Sequence, residues 1–481
     1  MNIESGVFII YLLFMIGIGV YFFVKSRNGG EKDYFLGGRQ MGPWVSALSA
    51  GASDMSAWVL MGLPASIYAA GIGQAWIAIG LAVGYAISWT VEAPRLRRFT
   101  IEANDAITLP QYLTNRFLSK SKSLQIICAV IFLVAYTIYA ASSMKACGTL
   151  FHTVIGIDST VAMYIAAVII VVYTFLGGFS AVCWTDFFQG LLMLAALLIA
   201  PIFALAIING GGGAASAASL PDGYWNLFSN WKDIVSGLGW GLGYFGMPHI
   251  IIRFMSVRSD KDLKKSAKIG IAWNVLIVLF SVAAGCIGHL LMGEIDDNST
   301  VFIQMVRKMF PAIISGVLLS AILAASMSTA DSQLLSSASA FASDVYKPII
   351  RKGKAGDREM LWVGRVVVLC ISVIAVIIAS NPNSGTIMGL VENAWGLFGA
   401  AFGPAIMLSL FWKRFNFGGA VAGIVVGALV DILWLTCLGS TGIYEIIPGC
   451  IVGLIAAVVV TFLTPAPDKA VCELFDRANA K

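Results

Sequence analysis

The sequence predicts an all-α polytopic membrane protein, and its composition and hydropathy carry that prediction. Apolar residues make up 58% of the 481 residues and charged residues only 12%, about half of the roughly 25% that soluble domains carry. A mean hydropathy of +0.85 over the whole chain is incompatible with a water-soluble core. Because apolar stretches long enough to span a bilayer fill the chain, we expect a single membrane domain.

The prediction comprises 13 transmembrane helices, each containing about 20 apolar residues. The first is expected to be a true span, because its apolar run is too long for a signal peptide and no small-residue cleavage site follows it. In order, the predicted spans cover residues 6–26, 43–70, 74–94, 124–152, 158–178, 182–208, 233–257, 268–293, 310–342, 361–382, 386–411, 417–440 and 443–464.

The basic residues predict how the chain is oriented. Of the 31 lysines and arginines, 27 follow odd-numbered spans or lie in the C-terminal tail. Arg253 is one of these 27 and is assigned to the loop after span seven. The positive-inside rule therefore places the N-terminus outside and the C-terminus in the cytoplasm. An odd number of spans also requires the two termini to lie on opposite sides.

Two predicted spans are interrupted by residues that a simple membrane helix avoids. The runs SALSAGASDMSAW at 46–58 and GWGLGYFGMPH at 239–249 are rich in glycine, serine and other breakers. Irregular backbone at bilayer depth is found only where protein buries it or where it lines a cavity. The freed carbonyls and half-helix ends can hold a cation and a polar solute, as in ion-coupled transporters.

The breaks lie in spans two and seven, which predicts two inverted five-helix repeats with the binding sites between them. The expected units are 1–42, an extra N-terminal helix and loop; 43–209 and 233–411, the two repeats; 417–464, two C-terminal helices; and 465–481, a cytoplasmic tail.

Other function classes find little support. The eight cysteines are scattered without paired spacing, and the three histidines lie far apart, so neither a zinc site nor a disulfide framework is indicated. No hydrolase motif occurs, which disfavours an enzyme. A selectivity filter is usually a repeated element in an oligomer, and no such element is present. We expect neither a nucleic-acid partner nor an obligate protein partner.

Four runs carry a resemblance to a known family. The segments SALSAGASDMSAWVLMGLP, YTFLGGFSAVCWTDFFQ, GWGLGYFGMPHIIIRF and LLSAILAASMSTADSQLL resemble the sodium/solute symporter family, and within it the sodium/proline symporters. WKRFNFGGAVAGIVVG resembles the family's second signature. The resemblance implies a leucine-transporter-type fold in a bacterial cytoplasmic (inner) membrane. It also implies import of L-proline by alternating access, driven by a sodium gradient.

A sodium site can be predicted on span nine. Ala325, Ser328 and Thr329 are spaced i, i+3 and i+4 and therefore share one helix face. Neutral oxygens suit this hard, singly charged cation. Ala52 and Met55 flank the first break and can supply carbonyls. The resemblance assigns all five positions to the family's sodium site. The alternative is that the two hydroxyls bond their own helix.

Three aspartates are candidates for coupling or for a second sodium site. Asp54 lies at the first break and matches an acidic position that the resembled family associates with sodium coupling. It can organise the site or ligate the ion, and we favour the organising role. Asp186 begins span six and can either attract departing sodium or act as a helix N-terminal acid. Asp331 departs from the proline-symporter pattern, and with Asp186 it resembles the second sodium site of some family members. A fourth span aspartate, Asp431, has no assigned role.

The solute residues are predicted from the chemistry of a proline zwitterion, which has an apolar ring and two charged ends. Aromatic walls suit the ring and can face the ammonium group, and hydroxyls suit the charged ends. For any single aromatic residue the alternatives are packing and an interfacial belt. The positions that match the family's solute pocket are Ser56, Trp58, Tyr139, Trp240, Tyr244 and Pro248.

Two other functions stay open. One is a sodium symporter of the same family for pantothenate, a sugar or a short organic acid. The other is a transporter-like membrane sensor, which normally carries an appended soluble signalling domain. Only residues 465–481 follow the last predicted span, so the sensor is disfavoured.

Overall fold

A computed structural model describes residues 3–25, 31–212 and 220–480. Helices dominate these residues, and the only β-structure in them is an isolated bridge between Met41 and Val257. The all-α prediction is confirmed. The α-helices of the described residues are α1 (Ile3–Lys25), α2 (Glu31–Leu36), α3 (Pro43–Asp54), α4 (Gly62–Ala70), α5 (Ala75–Ile87), α6 (Ala93–Glu102), α7 (Leu109–Arg116), α8 (Ser123–Ile155), α9 (Ser159–Ile207), α10 (Trp231–Gly239), α11 (Pro248–Ser256), α12 (Asp260–Met292), α13 (Val301–Met309), α14 (Ala312–Ser339), α15 (Asp357–Ser380), α16 (Ile387–Phe411), α17 (Phe417–Leu433), α18 (Ile446–Leu463) and α19 (Lys469–Asn479).

Ten helices of the described part are long and apolar enough to cross a membrane. The chain is therefore a multi-pass membrane protein. The predicted spans 43–70, 158–178 and 233–257 are not among the ten, because their helices are interrupted or short. The count of 13 spans stays a prediction.

The first break separates α3 from α4. The Met55 amide donates to the Gly51 carbonyl at 2.8 Å and closes the last turn of α3, whereas the Ser56 amide turns back to the Asp54 carbonyl at 2.9 Å. A short 3-10 turn, Ala57–Val59, then leads towards α4. Because Ser56 donates elsewhere, the carbonyl of Ala52 loses its usual i+4 partner and can accept another donor.

The second break lies between α10 and α11 and is a 3-10 helix over Trp240–Phe245. Pro248 occupies the first position of α11, where a missing amide hydrogen has no cost. Gly243 is required by close packing, since a Cβ there would lie 2.0 Å from Nε1 of Trp395. That indole nitrogen donates to the Trp240 carbonyl at 2.8 Å.

A third interruption lies inside α9. Gly178 has φ 62° and ψ −177°, a left-handed φ that favours glycine. The kink lies at the end of predicted span 158–178 and just before predicted span 182–208, so the expected boundary between two spans is found as a kink.

The C-terminal segment ends in a docked helix. Helix α19 packs its Phe475 ring 5.9 Å from that of Phe99 on α6. The guanidinium of Arg116 on α7 lies 5.0 Å from the Phe475 ring centroid, and Lys413 pairs with Asp476 at 2.6 Å. Much of the predicted tail 465–481 is therefore a helix held against the end of the bundle.

Candidate ion and solute site

The predicted sodium residues meet where α14 passes the end of α3. The Ser328 hydroxyl lies 2.7 Å from the Ala52 carbonyl and 3.2 Å from the Ala325 carbonyl. The neighbouring Thr329 hydroxyl is buried and has no hydrogen-bond partner among the described residues. Met55 is buried one turn after Ala52. Ser328 bonds both its own helix and the first break, so this cluster offers neutral oxygens and one unsatisfied hydroxyl, which suit an alkali cation.

Asp54 connects the first break to the surrounding helices. Its carboxylate Oδ2 accepts a hydrogen bond from the Tyr244 hydroxyl at 2.6 Å. Its backbone carbonyl accepts from the Tyr139 hydroxyl at 3.2 Å and from the Trp58 indole at 3.3 Å. Asn274 on α12 donates to the Tyr244 hydroxyl at 3.3 Å. Asp54 is therefore hydrogen-bonded to Tyr139 on α8 and to Tyr244 in the second break.

Five of the six predicted solute residues gather around Asp54. The rings of Trp58 and Trp240 lie 6.1 Å apart and are tilted by 37°. Trp240 and Tyr244 both contact the ring of Trp395, at 6.3 and 5.1 Å. Ser56 caps the 3-10 turn by accepting from the Trp58 amide at 3.4 Å. All of these side chains are buried, so the ring faces and hydroxyls form a closed aromatic site.

Pro248 has different surroundings. It lines a small cavity of about 20 Å³ together with Thr108, Phe132, Ser336 and Ser339. That volume has room for one water molecule. His249, the next residue, packs against Tyr139 with ring centroids 6.4 Å apart, so Pro248 is one residue away from a contact with the aromatic site. A role for Pro248 in solute binding stays a prediction.

A buried ion pair between Arg253 and Asp186 is connected to Asp331 through Ser332. Arg253 donates to Asp186 at 3.1 Å and to Ser332 at 2.6 Å. Ser49 donates to the same Asp186 oxygen at 2.7 Å, and the Ser332 hydroxyl lies 3.3 Å from Asp331. Arg253 is 1% exposed and Asp186 is fully buried. Good pairing is what makes a buried charge tolerable.

The structure corrects two sequence-based expectations here. The sequence predicts a loop position for Arg253, but Arg253 lies in the last turn of α11 and is buried inside the bundle. The sequence predicts a helix start at Asp186, but Asp186 lies about two turns past the Gly178 kink. A dipole-stabilised N-terminal acid therefore does not describe Asp186, whose charge is met by Arg253.

Sequence reasoning missed several residues of this site. Arg253, Asn274, Ser49 and Trp395 all contact predicted site residues. For Asn274 a signal existed, because it is an amide within the otherwise apolar run of span eight. For Arg253 the signal was its position directly after three isoleucines, 250–252, where a basic residue resembles an ordinary span end.

Ion pairs and hydrogen bonds of Arg39 and Asp105 connect neighbouring segments at one end of the bundle. Arg39 donates to Asp105 at 2.8 Å, to the Met255 carbonyl at 2.6 Å and to the Ala106 carbonyl at 2.8 Å. Lys32 also donates to Asp105. Partial burial raises the pKa of Asp105, but its hydrogen bonds and charge contacts with Lys32 and Arg39 outweigh that effect and hold the pKa below its usual value.

The chain is similar to known transporters along nearly its whole length. The sequence model described as "Sodium:solute symporter family" matches residues 34–427. The osmoregulated proline transporter OpuE of Bacillus subtilis (strain 168) is 45% identical over 97% of this chain and 96% of its own. The high-affinity proline transporter PutP of the same strain is 43% identical over 95% and 97%. The sodium/proline symporter of Staphylococcus aureus (strain USA300 / TCH1516) is 44% identical over 96% and 93%.

Solved structures of low sequence identity share the fold. A Na⁺-coupled sialic acid symporter in a substrate-bound, outward-open state superimposes with a TM-score of 0.80 at 20% identity, covering 98% of this chain and 99% of its own. The nucleobase-cation-symport-1 family transporter Mhp1 in a closed conformation gives 0.57 at 15% identity, covering 92% and 98%. The leucine-transporter-type fold is thus confirmed. Together with the match over residues 34–427, the relatives show that this chain belongs to the sodium:solute symporter family.

Proposed function

We propose that this protein is a sodium-coupled secondary active symporter that imports L-proline by alternating access. The relatives at 43–45% identity are named as proline transporters and, in one case, as a sodium/proline symporter. The observation that carries the proposal is the position of Ala52 and Asp54, two residues apart at the end of α3. Ala52 belongs to the predicted ion cluster, and Asp54 accepts hydrogen bonds from the aromatic residues.

This arrangement provides a physical basis for coupling. A sodium ion bound by Ala52, Met55, Ala325, Ser328 and Thr329 would fix the end of α3 against α14. Because Asp54 lies on the same turn, the ion would also fix Tyr139, Trp58 and Tyr244 through their hydrogen bonds. Sodium and solute would then each raise the affinity for the other, as reciprocal coupling requires.

The aromatic residues would bind the solute by its shape and charge. Trp58 and Trp240 present ring faces to an apolar ring and an ammonium group. Tyr139, Tyr244 and Ser56 supply hydroxyls to the charged ends. Pro248 is proposed to border the solute from the side of its water-sized cavity. Neutral hydrogen-bonding groups suit a zwitterion, whose own charges sum to zero.

Asp186 and Asp331 are proposed as parts of a second sodium site. Arg253 and Ser332 connect them by hydrogen bonds, and Asp331 and Ser332 lie on the α14 face that also carries Ser328. Replacing Asp331 with Asn would then lower the charge moved per solute in proteoliposomes. If Asp331 instead only speeds sodium release, the ratio would stay fixed and turnover would fall. An unchanged ratio and an unchanged turnover would remove Asp331 from the mechanism.

Location and topology are also part of the proposal. The protein would lie in the cytoplasmic membrane of a bacterium, with its N-terminus outside and its C-terminus inside, as the basic residues predict. The units 43–209 and 233–411 would be inverted repeats, each opening with its broken helix. Cysteine labelling at either end of the chain, from either side of oriented vesicles, would test the orientation.

Uptake into proteoliposomes tests the proposed function directly. Labelled L-proline, pantothenate, a sugar and a short organic acid would be offered with and without an inward sodium gradient. The proposal expects accumulation of L-proline only with the gradient. Equal proline uptake with potassium replacing sodium on both sides would refute sodium coupling. Preferential uptake of another solute would support the alternative family function.

A further inference from the structure

Two carboxylates that no proposed transport step uses converge between α16 and the C-terminal helices. A Cβ at Gly396 on α16 would lie 2.9 Å from Oδ1 of Asp431 on α17 and 3.4 Å from Oε1 of Glu445, which precedes α18. Both carboxylate oxygens therefore lie beside Gly396. Asp431 is 1% exposed and Glu445 is 6% exposed.

Neither of these two oxygens has a partner. Asp431 Oδ1 and Glu445 Oε1 are both buried and accept no hydrogen bond within the described part of the chain. None of the ion pairs found there involves either carboxylate. An uncompensated buried carboxylate is costly, and two facing carboxylates disfavour each other's ionised form. The pair therefore needs a positive occupant.

The surroundings favour a proton over a metal ion. A hard cation such as sodium needs several converging oxygens, whereas the atoms nearest to a Cβ at Gly396 include two oxygens. Asp431 is also closely packed, since a Cβ at Gly449 on α18 would lie 3.3 Å from the Asp431 Cβ. A proton on one carboxyl needs no set of converging ligands.

The other charged and titratable neighbours do not neutralise the pair. Glu392 on α16 adds a third acid that interacts with Glu445. Tyr444 is directly adjacent, and Cys450 on α18 interacts with Asp431 while donating to the Gly399 carbonyl at 3.3 Å. Lys232 on α10 packs against Gly442 and forms no ion pair with either carboxylate.

The pair also contacts the aromatic site through one residue. Tyr444 donates to the Glu392 carbonyl at 2.9 Å, and its ring lies 5.2 Å from that of Trp240. Trp240 in turn faces Trp58 at 6.1 Å. Movement of Glu445 or Tyr444 would therefore reach a predicted solute residue through direct packing.

We propose that Asp431 and Glu445 form a proton-binding site that holds a proton at neutral pH and supports Trp240 through Tyr444. Loss of the proton at alkaline pH leaves two repelling charges. These charges separate α16 from α17 and α18, displace Tyr444 and weaken solute binding.

Infrared spectroscopy of the full chain in lipid nanodiscs tests the site without reference to transport. The spectrum of the parent minus that of Asp431→Asn should contain a protonated-carboxyl C=O band at neutral pH. That band should disappear as the pH rises. Glu445→Gln should remove the same band, whereas Asp222→Asn, at an exposed acid, should leave it unchanged. Absence of the band at neutral pH would overturn the proposal, as would its decline when sodium replaces potassium at fixed pH.

A binding measurement tests the link to Trp240. When the pH is raised from neutral to alkaline, the affinity of the parent for L-proline should fall by about fivefold. A change of this size corresponds to a modest coupling between sites. In Asp431→Asn this pH dependence should be lost, and in Asp222→Asn it should persist. Identical pH profiles of the parent and Asp431→Asn would overturn the link. This binding measurement rests on the proposed function. If L-proline does not bind at all, the proposed function fails. The infrared band still tests the proton site in that case.

Discussion

The two helix breaks differ in the chemical groups that they present to the surrounding residues. At the first break, the end of α3 offers the Ala52 carbonyl to Ser328 and the Asp54 carbonyl to Tyr139 and Trp58. At the second break, Trp240–Phe245 offers aromatic rings, and glycines allow other side chains to approach closely. The first break therefore supplies carbonyl oxygens, and the second supplies aromatic surfaces and close packing.

The backbone hydrogen bonds explain this difference. In the second break the turn stays hydrogen-bonded in 3-10 form, and the Gly246 amide still donates to the Gly243 carbonyl at 2.9 Å. A 3-10 helix continues to use its carbonyls internally. In the first break the Ser56 amide turns back to Asp54, so the carbonyl of Ala52 is released. A break yields ion ligands only where the internal ladder is lost.

The largest expected effect follows from Gly243→Ala at the second break. The new Cβ would lie 2.0 Å from the Trp395 ring nitrogen, so we expect a loss of about 3 kcal/mol or more of stability. Thermal unfolding of the purified protein in detergent would measure it. The control is Gly439→Ala, where a Cβ meets nothing within 4 Å. Equal melting temperatures for the two variants would show that the second break tolerates bulk.

The next effect concerns the oxygens at the first break. Replacing Ser328 and Thr329 together with Ala removes two hydroxyls, and we expect the sodium concentration for half-maximal transport to rise about tenfold or more, roughly the loss of one or two good ligands. The control is Ser320→Ala on the same helix, since Ser320 bonds only its own turn at 2.8 Å. An unchanged sodium dependence in the double variant would mean that the hydroxyls serve only the helix.

A double-mutant cycle tests whether Asp54 and Tyr244 connect the two breaks. Asp54→Asn and Tyr244→Phe each remove one side of the 2.6 Å hydrogen bond. Because that bond involves a carboxylate, we expect a coupling energy of about 1–3 kcal/mol in solute affinity. Isothermal titration with L-proline would measure it. Effects that add to within about 0.5 kcal/mol would mean that the two breaks act independently.

The smallest effect distinguishes two roles of Ser56. Its hydrogen bond to the Trp58 amide is long, at 3.4 Å, so as a cap alone Ser56→Ala should cost about 0.5 kcal/mol of stability and leave the KM for solute unchanged. If Ser56 also binds solute, the KM should rise about tenfold with the same small stability change. Uptake kinetics and a melting curve on one preparation separate these outcomes.

Much of the architecture could be predicted from local sequence. Both breaks lie where glycine, serine and proline interrupt apolar runs, and the Gly178 kink lies at an expected span boundary. Ser328, on the helix face predicted from the spacing of Ala325, Ser328 and Thr329, lies 2.7 Å from the Ala52 carbonyl. These features follow from local chemistry, because helix periodicity and helix breaking depend on residues only a few positions apart.

The composition and residue order by themselves determined that this is an all-helical membrane protein with two broken helices, and they predicted a sodium site on span nine. Only the tertiary structure decided which polar groups meet. It buries Arg253 against Asp186, brings Tyr244 to Asp54 and Asn274 to Tyr244, and places Asp431 and Glu445 beside Gly396. Because these partners lie up to 190 residues apart, their pairing depends on how the helices pack, which no local pattern records.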